Sequence, residues 1–229
     1  MTDKNSSSYK SRILRLTFGL LLYSVGPYLN IQSDIGLAPW EAFSIGISNI
    51  TSLTYGAVHQ ITGLIILLFN NSLKEKIGLG TLLNIFLIGF FVNLFLSFGI
   101  IPKATNFSTG LIMLLIGEIF IAFGSYYYIG GGLGSGPRDS LMIALGKALP
   151  KVPIGVVRGI VEGSALLIGW LLKAKIGIGT VIAAFGVSFI IQLTFDFLHF
   201  DVKKIEHESF FYTINQFIKF IRLAMEKRG

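Results

Sequence analysis

Apolar residues gather along the chain into six long runs, roughly 14–31, 54–70, 78–101, 108–130, 153–172 and 176–196, parted by short polar or glycine-rich breaks. The hydrocarbon core of a bilayer takes about 20 helical residues at about 1.5 Å each, so the pattern predicts six transmembrane helices. The third run is uncharged from Ile77 to Ile101 and is the clearest. Gly26-Pro27 interrupts the first run, and the second is short, so their ends are the least defined. Two further segments, 39–50 (PWEAFSIGISNI) and 137–149 (PRDSLMIALGKAL), have a helical pattern but too little length, about 18–20 Å. Each opens on a proline and carries an acid two residues later, Glu41 and Asp139. Proline suits the first helical position, and the acid complements the positive helix end. These segments are expected as re-entrant or interfacial helices.

The basic residues orient the spans. With six spans and the N-terminus in the cytoplasm, sixteen of the 19 Lys and Arg residues fall inside, leaving Lys103, Lys173 and Lys175 outside. If the short helices also crossed, five would lie outside, so six spans obey the positive-inside rule better. Both alternatives put both termini in the cytoplasm. Arg12 and Arg15 lead straight into the first run with no small-residue cleavage site after it, so it is expected as a retained span. The chain then divides into a polar tail (1–11), two membrane segments (12–101 and 108–200) and a C-terminal tail (201–229). In that tail Phe210, Ile214, Phe217, Ile218, Ile221 and Met225 recur at helical spacing among Lys219, Arg222, Lys227 and Arg228. This reads as a basic amphipathic helix on the inner leaflet, or one packed on the protein's own loops.

The two membrane segments repeat one another. Ile77-Gly-Leu-Gly-Thr81 recurs as Ile176-Gly-Ile-Gly-Thr180, 99 residues on, and Gly56 recurs as Gly155. Pro39 recurs as Pro137, and Gly19, Gly26 and Tyr28 as Gly117, Gly124 and Tyr126, all 98 apart. Gly36-Leu37 and Gly132-Leu133 precede the two prolines, with a longer Gly134-Ser135-Gly136 lead in the second half. Each half reads span, short helix, span, span. An odd number of spans per half turns the second half upside down, so an all-α fold of two inverted three-span repeats is expected.

Composition narrows the chemistry. Of 229 residues 52% are hydrophobic and 14% charged, against about a quarter in soluble domains, and mean hydropathy is +0.71. With no cysteine, thiolate metal sites and cysteine nucleophiles are excluded, and His59, His199 and His207 lack metal-ligand spacing. The +7 charge sits mostly beside apolar runs, as lipid headgroups and topology require, and nucleic acid is not an expected partner.

The stretches GLAPWEAF, KEKIGLGTLLN, GGLGSGPRDSLMIAL, GVVRGIVEGSALLIGWLL and IGIGTVI resemble the YczE-like family of bacterial membrane proteins, within a wider YitT/YyaS grouping, over about residues 12–198. The resemblance implies a bacterial plasma-membrane protein and supplies no activity. The tail after Phe200 exceeds what the family leads one to expect.

Ionisable residues inside a bilayer usually face a cavity or a partner. Glu118 lies near the middle of the run 108–130, with no charge nearby in sequence. It reads as a proton-coupling site or as a structural carboxyl bonded to a neighbouring helix. Arg158 and Glu162, four apart, share a helix face. They read as a self-satisfied anchor or as a carboxylate-binding arginine held by its glutamate. The repeat counterpart of Arg158 is His59, also able to carry a proton. The corner Gly132, Gly134, Ser135, Gly136, Pro137, Arg138 could offer amides and a guanidinium to an anion, although Asp139 would oppose one, and such a corner is often only a tight turn. Asn93 and Gln192 are expected to hydrogen-bond between helices, and Tyr126 to Tyr128 to form an interfacial aromatic belt.

No serine–histidine arrangement, HExxH motif, phosphate-loop lysine or carboxylate pair stands in the sequence, so an enzyme is not expected, and no cofactor or metal. The expectation is a small secondary transporter or permease of an anion or amino-acid-like solute, coupled to protons. The alternative is a non-transporting scaffold or accessory subunit, for which the basic tail would be the docking element. The bilayer, a small solute, and a second copy or a membrane partner protein are the expected associates.

Overall fold

In the computed structural model, residues 2–73, 75, 77–205, 207–210, 212, 213 and 215 are described. All regular structure among them is helical: α1 (Thr2–Ser33), α2 (Pro39–Ile50), α3 (Tyr55–Ser72), α4 (Leu79–Phe98), α5 (Phe107–Gly130), α6 (Pro137–Ala148), α7 (Ile154–Leu171) and α8 (Ile178–Phe197), then a 3-10 turn at Val202–Lys204. The expected amphipathic tail falls almost wholly on residues outside those described.

Four helices, α4, α5, α7 and α8, are long and apolar enough to cross a membrane. The pair α2 and α3 also passes when taken together, bent by 115°, giving four or five candidate spans. α1 falls short on composition because it is lined with polar residues that the protein buries, Ser24, Asn30, Gln32 and Ser33 among them. The large apolar side chains that remain exposed, such as Ile65, Leu68, Phe90, Ile160, Phe185 (78%) and Phe197 (79%), face outward from these helices. A surface of that kind belongs in lipid.

Gly26-Pro27 does not break the first helix: α1 runs unbroken from Thr2 to Ser33 through Pro27. It packs closely on α5. A methyl on Gly19 would fall 2.8 Å from the Gly124 carbonyl oxygen, and one on Gly26 would fall 2.9 Å from that of Gly117. The crossed order of these contacts makes α1 and α5 antiparallel, and the missing side chains let their backbones touch. These glycines therefore serve packing within one chain. Around this central pair, α4 packs on α1 and on α3, α8 on α5, α2 on α7, and α3 on α6.

The two IGxGT motifs clasp the opposite halves. The Gly80 amide, at the start of α4, donates to Leu133 O (2.7 Å), and the Gly179 amide, at the start of α8, donates to Ile35 O (3.0 Å). Beside these bonds Gly134 has φ +128° and Gly36 φ +129°. A side chain on Gly36 would meet Gly177 N and Thr180, and one on Gly134 would meet Gly78 and Thr81. Gly36 thus corresponds to Gly134, 98 residues on. The apparent longer lead in the second half is a misalignment of one glycine pair with another, which the shared backbone conformation corrects.

One end of the molecule is tied by charge. Arg12 pairs with Glu208 and donates to Gly131 O (2.8 Å), while the Tyr9 hydroxyl donates to the other Glu208 oxygen (2.7 Å). At the opposite end Lys175 pairs with Asp34 (2.7 Å).

Candidate functional site

The short helices α2 and α6 begin inside the molecule, and their first residues meet. Pro39-Trp40-Glu41 and Pro137-Arg138-Asp139 line one cavity of about 510 Å³. The Arg138 guanidinium lies 4.5 Å from the Trp40 ring centre and 3.3 Å from His59 Nδ1. Stacking on an aromatic face and donation to an imidazole nitrogen fix the plane of the guanidinium. Glu41, buried at the start of α2, stands within electrostatic reach of the same cation.

Most of the residues singled out in the sequence converge here. His59, Ser135, Gly136, Arg138, Arg158, Glu162 and Glu118 all line the cavity. Gly134 does not; its backbone is spent on the clasp against Gly78 and Thr81. His59 faces Arg138 and not its repeat counterpart Arg158. Arg158 donates to Glu162 one turn on (2.8 Å), the self-satisfied pair, with its side chain about half exposed at the cavity edge.

Glu118 is 3% exposed, and neither of its carboxyl oxygens has a hydrogen-bond partner within the protein. It lies against Gly186 of α8, where a methyl would fall 2.7 Å from Oε2. Among the described residues no serine, asparagine or carbonyl of a neighbouring helix bonds this carboxyl. Asn30, another cavity residue, uses Oδ1 to accept the Ala38 amide (3.0 Å) and leaves Nδ2 unpartnered. His207 Nδ1, in the same wall, is unpartnered too; buried polar groups are nearly always satisfied, so three such residues around one cavity point to something it receives.

Two expectations about neighbouring residues change. Tyr128 is not part of an interfacial belt: it is 2% exposed, and its hydroxyl donates to Asp139 Oδ2 (2.7 Å). That bond engages the acid expected to repel an anion at the corner. Tyr126 and Tyr127 do sit beside a cation, Arg15. Asn93 bridges helices as expected, donating to Thr54 Oγ1 (2.8 Å) and accepting the Gly56 amide (2.8 Å). Gln192 instead bonds within α8, to Asp196 (2.8 Å).

Sequence reasoning missed Trp40, Glu41, Asn30 and Tyr128 as cavity residues. The signal for the first two was available, because Trp40 and Glu41 stand 98 residues before Arg138 and Asp139. Among the described residues no group of three or more histidine, cysteine or acidic side chains could hold a metal ion.

Residues 10–196 match the model of a family described as a family of unknown function, DUF6198. An uncharacterised protein of Haemophilus influenzae is 34% identical over 187 residues, covering 82% of this chain and 84% of its own. The uncharacterised membrane protein YczE of Bacillus subtilis is 32% identical over 189 residues (80% and 86%), and the uncharacterised protein YyaS of the same organism 32% identical over 170 (72% and 82%). No solved structure matches the chain.

Proposed function

Because the chain belongs to the DUF6198 family of YczE-like membrane proteins, whose description carries no activity, its work has to be read from its own cavity, and we propose that it is a proton-coupled secondary transporter or permease of a small solute. The observation that carries the proposal is Glu118, buried with both oxygens unpartnered in the wall of the cavity that Pro39 and Pro137 also line. Intramembrane carboxyls in such places mark proton relays and ion pathways.

The membrane architecture proposed with it has six spans, α1, α3, α4, α5, α7 and α8, and two re-entrant helices, α2 and α6. The halves α1–α4 and α5–α8 are inverted repeats in the membrane of a bacterial cell, with both termini cytoplasmic by the charge rule. Antiparallel packing of α1 on α5 supports the inversion, since two copies related by an axis in the membrane plane meet in that way. The reciprocal clasps of Gly80 on Leu133 and of Gly179 on Ile35 support it as well. In this reading the midplane cavity is the solute site.

An anion or an amino-acid-like solute suits the cations there. Arg138, held in plane by Trp40 and His59, and Arg158, held by Glu162, receive a carboxylate, and the Ser135-Gly136 backbone lies beside them. Glu118 takes and releases the coupled proton. The chain carries its solute unchanged, as a carrier and not a catalyst.

The test is proton entry into proteoliposomes loaded with a pH dye, on addition of a panel of amino acids and small organic acids. A solute-dependent acidification that Glu118→Gln abolishes agrees with the proposal. Solute-dependent flux with unchanged pH dependence in Glu118→Gln overturns the coupling role.

A further inference from the structure

The two halves differ at one seam, and the difference opens the cavity sideways. In the first half α3 and α4 are zipped together: a methyl on Gly56 would fall 2.1 Å from the Gly89 carbonyl oxygen, Asn93 bridges to Thr54, and Gln60 Nε2 donates to Phe86 O (3.0 Å). The corresponding helices of the second half, α7 and α8, are parted and hardly touch. Among the described residues, no side chain or neighbouring element comes within 4 Å of where a side chain would begin on Gly155, the counterpart of Gly56, and the same holds for Gly159 and Gly163. The cavity wall runs along this parting, from Gly155, Arg158 and Glu162 on α7 to Val187, Ile191 and Phe195 on α8.

α7 and α8 are both apolar enough to span, and Phe185 and Phe189 are exposed on the face of α8 turned away from Val187 and Ile191. A gap between two spans at that depth borders hydrocarbon and not water. Resting on the transport reading for the role of the cavity, we propose that its solute is an anionic amphiphile drawn from the bilayer between α7 and α8. The apolar chain lies along Val187 and Ile191, and the acidic head reaches Arg158, whose side chain is 48% exposed at the edge. Beyond it, Arg138 and the unpartnered Asn30 Nδ2 supply further donors for that head.

The chain has no cysteine, so Val187→Cys and, on the bilayer face, Phe189→Cys each give a unique site for a nitroxide spin label. In phosphatidylcholine vesicles, collision with oxygen, which concentrates in hydrocarbon, should broaden both labels alike, and a water-soluble nickel chelate should leave both unaffected. Gly159→Leu, which fills open space and leaves the fold intact, should then lower the oxygen effect at 187 only. Added dodecyl phosphate should slow the label at 187, inorganic phosphate should not, and Arg158→Ala should remove the effect. Nickel access at 187 would overturn the lateral entrance in favour of a water-filled mouth. Access to neither reagent would overturn it in favour of a seam covered by a second copy of the chain. An equal response to inorganic phosphate would overturn the amphiphile. None of these readouts needs flux, so a chain that moves no solute but shows lipid at 187 refutes transport alone, and flux with nickel access at 187 refutes the entrance alone.

Discussion

Trp40 and Arg138 occupy the same place in the two halves of the chain, 98 residues apart, and they stack on each other with 4.5 Å between guanidinium carbon and ring centre. Two helix starts that would be equivalent in a strict repeat have diverged into an aromatic platform and the cation it holds. The contact joins the halves at the cavity and fixes the direction of the Arg138 donors. Replacing Trp40 by Ala removes a cation–π contact worth about 0.5–2 kcal/mol. The detergent-purified protein should melt at a lower temperature, and solute affinity should fall by roughly tenfold for each 1.4 kcal/mol lost. Arg138→Lys keeps the charge but loses the planar fork, so its affinity should fall nearly as far as in Arg138→Ala.

The clasps make a sharper stability prediction. Gly36 and Gly134 hold φ values near +129° and +128° against the backbones of Gly177 and Gly78. Ala at either position meets both backbone strain, about 1–3 kcal/mol, and a clash with main chain that cannot move aside. Gly36→Ala and Gly134→Ala should each sharply reduce the yield of monodisperse protein in size-exclusion chromatography. Gly155→Ala and Gly159→Ala, with open space around them, should leave it unchanged.

Much of this was legible along the chain because hydropathy and proline punctuation are local. The runs 78–101, 108–130 and 176–196 became α4, α5 and α8 within a few residues, and the short helix at 39–50 has the bounds Pro39–Ile50. α1 was harder to read because Gly26-Pro27 looks like a break and because partners of its polar residues lie beyond the helix: Gln32 donates to Ile101 O and Asn30 accepts the Ala38 amide. The cavity was half legible: charges in apolar runs flagged Glu118 and Arg158, and the glycine-proline corner flagged Arg138. Which of them meet was not, since His59 reaches Arg138 across 79 residues of chain and Glu41 reads locally as a helix-start acid.

The tie at the charged end carries a pH dependence. Burial, together with the bond to Glu208, raises the Tyr9 hydroxyl from 10.0 to about 12. The folded state thus keeps the Tyr9 proton where the unfolded chain releases it. Its contribution is fully present below pH about 10 and is lost as pH rises toward about 12. Thermal melts across that window should fall for the native chain, and Tyr9→Phe should flatten the part of the fall that belongs to this group.

Gly186 gives a way to disturb Glu118 without removing it. A methyl there would fall 2.7 Å from Glu118 Oε2, the free end of a flexible side chain, so Gly186→Ala should fold and move the carboxyl. Solute-driven proton entry should shift its pH dependence in Gly186→Ala, while Ala184→Gly, elsewhere on the cavity wall of α8, should keep the native profile.

The central claim is that the meeting point of the two corners is a solute site. The direct measurement is a thermal-shift screen of the purified protein against amino acids, small organic acids and amphiphilic acids at two pH values, repeated in Arg138→Ala and Glu118→Gln. A ligand that binds only the folded state raises the midpoint by mass action. The account predicts at least one acid whose shift is lost in Arg138→Ala and changes its pH dependence in Glu118→Gln. A sound melting transition that no compound moves, or a shift that survives both substitutions, would contradict it.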